Sequence, residues 1–316
     1  MTGELLLSVA VCTLDRPRYL RKALAGLAAQ TLAPARYEVL VIDNGPSRAT
    51  AQVVREFSGS PVPPRCIDEP KRGLSHARNR AWREARGAFV AYLDDDAVPH
   101  PRWLEHAANE LDERDSKLGM LGGRVIPIWE AERPAWLSEK LQDYLTMVDL
   151  GPGRQQIDAL TGIVGANMIV PRHLLEATGG FSPLLGRKGR SLLSNEELYL
   201  KRELAAAGYH AVYVAEVAVE HHAPRERLSR RWFLRRLYWQ GRSDALIARL
   251  DEPLALRPRA ARAKHTFRQA RWWFRRWLDS GPRRPESFEF LTTSFYNLGF
   301  AVGELVGANE GGEGNG

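Results

Sequence analysis

Along the first hundred positions, short, largely apolar runs alternate with segments whose apolar residues recur every three or four positions. Residues 5–12, 37–42, 65–67 and 89–93 are runs of the first kind and read as strands, the last of them buried. Between them, residues 17–30 carry Leu20, Ala23, Leu24 and Leu27 at helical spacing. Residues 49–57 form a shorter helix, and residues 73–85 another, with Ser75 as its expected N-cap. Strands separated by helices predict a mainly parallel sheet whose ligand crevice lies at the carboxyl ends of its strands. Thr13, Asp43 and Asp94 all fall at such ends and are expected to converge.

Beyond residue 100 the pattern loosens. Residues 101–113 read as a helix and 120–128 as a strand, whereas 129–158 mix Pro, Trp and acidic residues without periodicity and suggest a substrate-covering loop or small subdomain. Residues 162–170, with Gly165 and Asn167, read as a strand returning to the core. Gly179-Gly180-Phe181 leads into a basic, glycine-containing stretch at 186–190, a candidate lid. A helix opens at 194–204 with Leu198, Leu200 and Leu204 available to face inward. Residues 211–219 form a strand that ends in Glu220-His221-His222. Residues 228–250 are a long helical pattern, 271–278 repeat its mixture of Arg and Trp, and 288–306 are apolar but broken by Asn297 and Glu304, as in a packed helix. The Gly/Glu/Asn tail at 307–316 has the composition of a disordered end.

Composition narrows the setting. Two cysteines, Cys12 and Cys66, form no disulfide framework and no zinc cluster, so nothing demands an oxidising compartment and a cytoplasmic protein is expected. The apolar stretch at 5–11 follows no basic residue and precedes no small-residue cleavage site, so it is read as a strand and not a signal peptide. No run reaches the roughly 18–20 apolar residues of a spanning helix. The net charge is +7, but residues 223–280 hold 16 Lys/Arg against five Asp/Glu, so the basic character belongs to that segment and the remainder is net acidic. Such a surface attracts nucleic acid, anionic lipid or a phosphorylated acceptor.

Candidate chemistry centres on Asp94, Asp95 and Asp96, directly behind the strand at 89–93. Alternation along an extended chain sends Asp94 and Asp96 to one side and Asp95 to the other. Carboxylates this close raise one another's pKa unless a cation or hydrogen-bond donors compensate. Magnesium or manganese would serve, because each takes one or two carboxylates and leaves its other positions to water and phosphate. A solvated acidic turn, with Asp96 capping the helix after Pro101, is the other reading. A second acidic pair, Glu196-Glu197, sits at a helix start, where the helix dipole favours it in any case. Neither a Gly-x-Gly-x-x-Gly after the first strand nor a Gly-x4-Gly-Lys-Ser/Thr loop is present, which speaks against a dinucleotide oxidoreductase and a P-loop enzyme.

Taken in order, these pieces resemble the family 2 glycosyltransferases over residues 6–222. The matching segments are Thr13-Leu14-Asp15-Arg16-Pro17, Gln30-Thr31, Val41-Ile42-Asp43-Asn44, Gly73-Leu74-Ser75-His76-Ala77-Arg78-Asn79 and Tyr92-Leu93-Asp94-Asp95-Asp96. They continue with Gly179-Gly180-Phe181, Asn195-Glu196-Glu197-Leu198 and Val219-Glu220-His221. The resemblance implies an α/β chain with the GT-A nucleotide-sugar-binding fold, a mainly parallel central sheet flanked by helices, followed by a C-terminal helical extension. It divides into a catalytic domain at 1–222, with a nucleotide half at 1–100 and an acceptor half at 101–222, a basic helical extension at 223–306 and the tail at 307–316.

The activity so implied is that of a hexosyltransferase. A sugar would pass from a nucleoside-diphosphate sugar to a hydroxyl of a glycan, lipid-linked or small-molecule acceptor, with inversion and with Mn2+ or Mg2+ as cofactor. Thr13, Asp15 and Asp43 would line the base pocket and Arg78 would meet the nucleotide and its phosphates. Asp94 would meet the ribose, Asp95 would assist and Asp96 would ligate the metal. His221, ahead of His222, matches a position that in some members adds a further ligand or phosphate contact. The general base is expected in Glu197 and next in Glu196, where the family commonly reads Glu-Asp. The Trp- and Arg-rich C-terminal helices suit peripheral contact with the cytoplasmic membrane face, or else pack on the catalytic domain with solvated arginines. No nucleic-acid partner is expected. The rival reading is an inactive nucleotide-sugar-binding or scaffold protein, which would keep Asp43 and Asp96 but need no base.

Overall fold

Strands β1 (Leu7–Thr13) and β2 (Tyr37–Asp43) expose almost nothing to solvent, as parallel strands covered on both faces do. The computed structural model describes residues 5–306 except 114, 159–161, 190, 254, 282 and 283. The tail at 307–316 and Arg190 of the 186–190 stretch therefore lie outside the described residues. Helix α1 (Pro17–Ala28) follows β1 with Leu20, Ala23, Leu24 and Leu27 buried, and α2 (Ala49–Glu56) follows β2. Then come β3 (Arg65–Asp68), α3 (Leu74–Glu84), β4 (Phe89–Asp94), the three-residue β5 (Ala97–Pro99), α4 (Trp103–Asp112) and β6 (Leu118–Trp129). The remaining elements are α5 (Glu139–Gln142), β7 (Arg154–Ile157), β8 (Asn167–Pro171), α6 (Arg172–Thr178), α7 (Glu196–Ala206), β9 (His210–Ala223), α8 (Arg230–Asp251), α9 (Leu256–Asp279) and α10 (Phe288–Leu305).

Two compact units result. One comprises Met1–Ile128, Thr146–Ser182 and Glu197–His222; the other comprises Trp129–Leu145, Pro183–Glu196 and Ala223–Gly316. The first is built on a nine-stranded sheet in the order β3-β2-β1-β4-β8-β6-β9-β5, with β7 also on β9. The pairs β3/β2, β2/β1 and β1/β4 are parallel; β4/β8, β8/β6, β9/β5 and β9/β7 are antiparallel. The expected parallel sheet is thus the first half of a mixed one.

Three local expectations are corrected. The segment at 129–158 is not all loop, because β7 joins the sheet on β9 and β6 runs on to Trp129. The strand expected at 162–170 begins only at Asn167, since Gly162 adopts φ +69 and the Asn167 N–H turns back to the Val164 carbonyl at 2.9 Å. Ser75 lies inside α3, and the N-cap is Gly73, whose φ of +136 few other residues adopt.

In the second unit α10 packs against α8 and α9. A side chain at Gly299 would begin 1.9 Å from the Tyr238 carbonyl, and one at Gly241 2.0 Å from that of Tyr296, so α8 and α10 meet backbone to backbone. Beside this contact Glu304 is fully buried and pairs with Arg262 at 3.0 Å.

The antiparallel half of the sheet is tied by one polar residue. Asn167, fully buried, accepts a hydrogen bond from Trp103 Nε1 at 2.9 Å and donates to the Val217 carbonyl at 2.7 Å and the Arg124 carbonyl at 3.3 Å. Asn167→Ala leaves these buried groups unpaired, at about 1–3 kcal/mol each. A loss of about 2–5 kcal/mol in urea denaturation is expected, and Asn167→Asp should lose at least as much, because its second carboxyl oxygen would face two carbonyls in a dry site.

Candidate active site

Register sets the site's floor. The parallel pairing aligns Thr13 with Asp43 and Cys12 with Asp94, so β1, β2 and β4 end in one row. Strand β4 stops at Asp94, and Asp95 and Asp96 form a turn into β5. Past Asp94 the chain is no longer extended, yet Asp94 and Asp96 still bring ligand atoms within 4.8 Å of each other, as expected, while one guanidinium reaches both Asp95 and Asp96. Arg16 Nη1 donates to Asp95 Oδ1 at 2.6 Å and Nη2 to Asp96 Oδ2 at 2.7 Å. Thr13 Oγ1 donates to the remaining oxygen of Asp95 at 2.7 Å.

Asp95 and Asp96 are both nearly inaccessible. Burial pushes the Asp95 carboxyl up to about 7, against the pull of Arg16, with Asp96 adding to the rise. Burial also opposes the charge on Arg16, but Asp95 and Asp96 outweigh it and hold the guanidinium protonated above its usual range. The sequence motif contained Arg16 without assigning it a role. The available signal was a cation at the end of the first strand in a chain that needed to neutralise three carboxylates.

The short β5 supplies the next contact. Its antiparallel pairing sets Ala97 opposite His221, the His222 N–H donates to the Asp96 carbonyl at 2.9 Å, and His221 Nε2 lies 3.0 Å from Asp96 Oδ1. His222 points elsewhere, with its Nε2 3.2 Å from Lys22 Nζ and its ring edge-on to Tyr19. Asp94, Asp96 and His221 each bring one ligand atom within 4.8 Å of the others. Two carboxylate oxygens and an imidazole nitrogen, largely buried and beside an open strand end, form a donor set that fits Mn2+ or Mg2+.

Arg78, on the second turn of α3, is buried and donates from Nη2 to Asp94 Oδ1 at 3.4 Å. Its guanidinium also lies over the Phe181 ring at 5.5 Å. Gly165 makes room for it, since a Cβ there would lie 1.9 Å from Arg78 Nη2. The neighbouring Asn79 clasps the Gly179-Gly180-Phe181 turn by donating to the Phe181 carbonyl at 2.7 Å and accepting from its N–H at 2.8 Å. Asn44 does the same for the loop before α3, donating to the carbonyls of Glu69 and Lys71 and accepting from the Gly73 N–H at 2.9 Å.

Asp43 is buried, and that burial raises its carboxyl above the ordinary range, partly offset by the Gly45 N–H and the Thr50 hydroxyl. Asp15 is exposed, with φ +51.

Glu196 and Glu197 open a separate element, α7. The residue before them, Asn195, has φ +75 and is pinned within the second unit: Nδ2 donates to Asp244 Oδ1 at 2.5 Å and Oδ1 accepts from Gln240 Nε2 at 3.0 Å. Asp244 also accepts from the Tyr296 hydroxyl at 2.8 Å. Glu196 is buried. Glu197 keeps one buried oxygen, Oε2, that accepts no hydrogen bond among the described residues. One turn on, Lys201 is destabilised as a cation by burial and supported by Glu197.

The pattern of "Glycosyl transferase family 2" matches residues 8–163, and that of "Glycosyl transferase family group 2" matches residues 89–296. A glucosyl-dolichyl phosphate glucuronosyltransferase of Haloferax volcanii is 27% identical over 244 residues, covering 76% of each chain. Among solved structures, mannosyltransferase PcManGT of Pyrobaculum calidifontis, in complex with GDP-Man and Mn2+, superposes with a TM-score of 0.56 at 22% identity, over 77% of this chain and 64% of that one. S. aureus TarS in complex with UDP-GlcNAc gives a TM-score of 0.53 at 18% identity, over 74% of this chain and 64% of that one. The match thus spans just under two thirds of each solved chain, and at these identities it shows a shared fold.

The Arg16 contacts generate a test. Arg16→Met strands two buried carboxylates, so the metal-free protein should lose about 3–5 kcal/mol in thermal or urea denaturation. Millimolar Mn2+ should restore most of this loss, and should restore none of it when Asp96→Asn is added.

Proposed function

Because this chain belongs to glycosyltransferase family 2, we propose that it transfers a sugar from a nucleoside-diphosphate sugar to an acceptor hydroxyl on a lipid-linked glycan. The observation that carries this reading is the Asp94, Asp96 and His221 group at the carboxyl end of the parallel strands, with Arg16 and Arg78 beside it. The donor class is supported by the two structural neighbours, one holding GDP-Man with Mn2+ and the other UDP-GlcNAc. The acceptor class is supported by the Haloferax volcanii relative, whose name states a dolichyl-phosphate-linked sugar.

In this reading Thr13 and Asp43 line the base pocket, with Asp15 at its exposed rim, and Asp94 meets the ribose as well as the cation. Asp94, Asp96 and His221 would hold Mn2+ or Mg2+, and a divalent cation there offsets the negative charge that develops on the departing nucleoside diphosphate. Arg16 and Arg78 add fixed positive charge for the same diphosphate. In the unliganded chain Arg16 neutralises Asp95 and Asp96; with donor bound its guanidinium turns toward phosphate. Glu197 accepts the proton of the attacking hydroxyl, the role of a carboxylate placed opposite the leaving group. The acceptor oxygen forms its bond to the anomeric carbon as the bond to phosphate breaks on the opposite side, which inverts that centre.

A thermal-shift screen of nucleotide sugars with and without Mn2+ tests the reading. One donor should stabilise the protein, by about 2.7 kcal/mol at a hundredfold excess over Kd, and only with metal. Glu197→Gln should lower transfer at least about 100-fold and leave that stabilisation intact, whereas equal transfer by Glu197→Gln and wild type would remove the base assignment. Asp244→Leu releases Asn195 from its strained turn. It should lower kcat about tenfold with donor KM unchanged in initial-rate measurements, in line with the cost of misplacing a reacting group.

A further inference from the structure

Helix α9 contains 24 residues, and its only acidic residue is Asp279. One edge is fixed to α10: Ala263, Thr266 and Ala270 are buried, Ser294 Oγ donates to the Ala270 carbonyl at 2.8 Å, and Trp273 stacks on Phe290 with ring centres 5.7 Å apart. Arg259 and Arg262 lie on the same edge and reach Glu304. That packing leaves other apolar residues outside. Leu256, Phe267, Phe274 and Leu278 are 68%, 48%, 42% and 49% exposed, and Trp272, 56% exposed, lies apart from them at about 160° from Leu256 around the helix. At about 100° per residue these four fall within roughly 40° of one another, so they form a single stripe along the helix. Next to it, on the side away from α10, the exposed residues Arg257, Lys264, Arg268, Arg271 and Arg275 form a basic row.

We propose that this face of α9 is a docking surface for an anionic lipid bilayer. The helix would lie in the plane of the interface, with the Leu/Phe stripe among the acyl chains and the basic row at the headgroups. An apolar line beside a row of cations is the pattern of interfacial helices, in which hydrocarbon burial and attraction to anionic lipid act together. Long Lys and Arg side chains reach the headgroups while their stems cover apolar surface. The charge pattern selects among occupants. Two copies of this face would bring five cations against five. Single-stranded nucleic acid would use the cations and stack on Phe but would leave Leu256 and Leu278 without a role. The helix does not span, since no helix among the described residues is long and apolar enough to cross a membrane. The proposal rests on the surface of the second unit and is independent of the catalytic reading.

Flotation of the full chain with vesicles of phosphatidylcholine doped with phosphatidylglycerol, against phosphatidylcholine alone, tests it. Binding to the anionic vesicles that weakens as salt rises is expected. Phe267→Ser with Phe274→Ser should lower partitioning about 100-fold and Arg268→Gln with Arg271→Gln about tenfold. Both pairs alter exposed side chains and should leave the thermal unfolding midpoint unchanged. Absence of wild-type binding, equal binding by the Phe pair, concentration-dependent dimerisation lost in that pair, or preferential capture by single-stranded RNA would each overturn the proposal.

Discussion

Three successive carboxylates at the end of a buried strand set the electrostatic constraint on this protein. Water is largely excluded from Asp95 and Asp96, so their charge must be met by protein groups or by a bound cation. The chain brings those groups from separate places. Thr13 comes from the end of β1, Arg16 from the N-cap of α1, Arg78 from the second turn of α3 and His221 from the far end of β9. The three-residue β5 owes its register to the same demand: by pairing with β9 directly after the aspartates it seats His221 against Asp96. With a resident guanidinium on two carboxylates, the same pocket is compensated without metal and remains able to take one.

Asparagine serves as a recurrent fastener. Asn44 ties the end of β2 to the loop before α3, Asn79 ties α3 to the Phe181 turn, Asn167 ties β8 to α4 and β9, and Asn195 ties the start of α7 to α8. Each uses the amide as donor and acceptor together, which no hydrophobic residue of similar size can do. Three of these residues, Asn44, Asn79 and Asn195, lie in motifs that mark the family, and their role here is to hold the backbone that presents Asp43, Arg78 and the Glu196-Glu197 pair, without direct chemistry of their own.

The basic segment divides its arginines between structure and surface. Arg249 donates to the carbonyls of Gly303 and Val306, and Arg259 to that of Glu304, so both satisfy the open C-terminal end of α10 and complement its dipole. Arg262 neutralises Glu304, while the row from Arg257 to Arg275 faces outward. Counting charge in the sequence could not separate these groups, because the division depends on which edge of α9 meets α10.

The sequence by itself determined the alternating strands and helices of the first half, the ends of β1, β2 and β4 as the place for polar chemistry, and the aspartate cluster with its histidine as a candidate cation site. These follow from periodicity and from the high cost of unpaired charge, both of which act locally. Only the tertiary structure decided that the sheet turns antiparallel after β4, that residues 154–157 join it, and that Arg16 spans Asp95 and Asp96. It likewise decided that Asn195 is held by Asp244 from another helix, and that α9 leaves a Leu/Phe stripe outside. Each of these depends on partners in other elements of the chain. Contacts of that kind arise from packing and register, for which the local pattern of apolar and polar residues carries no signal.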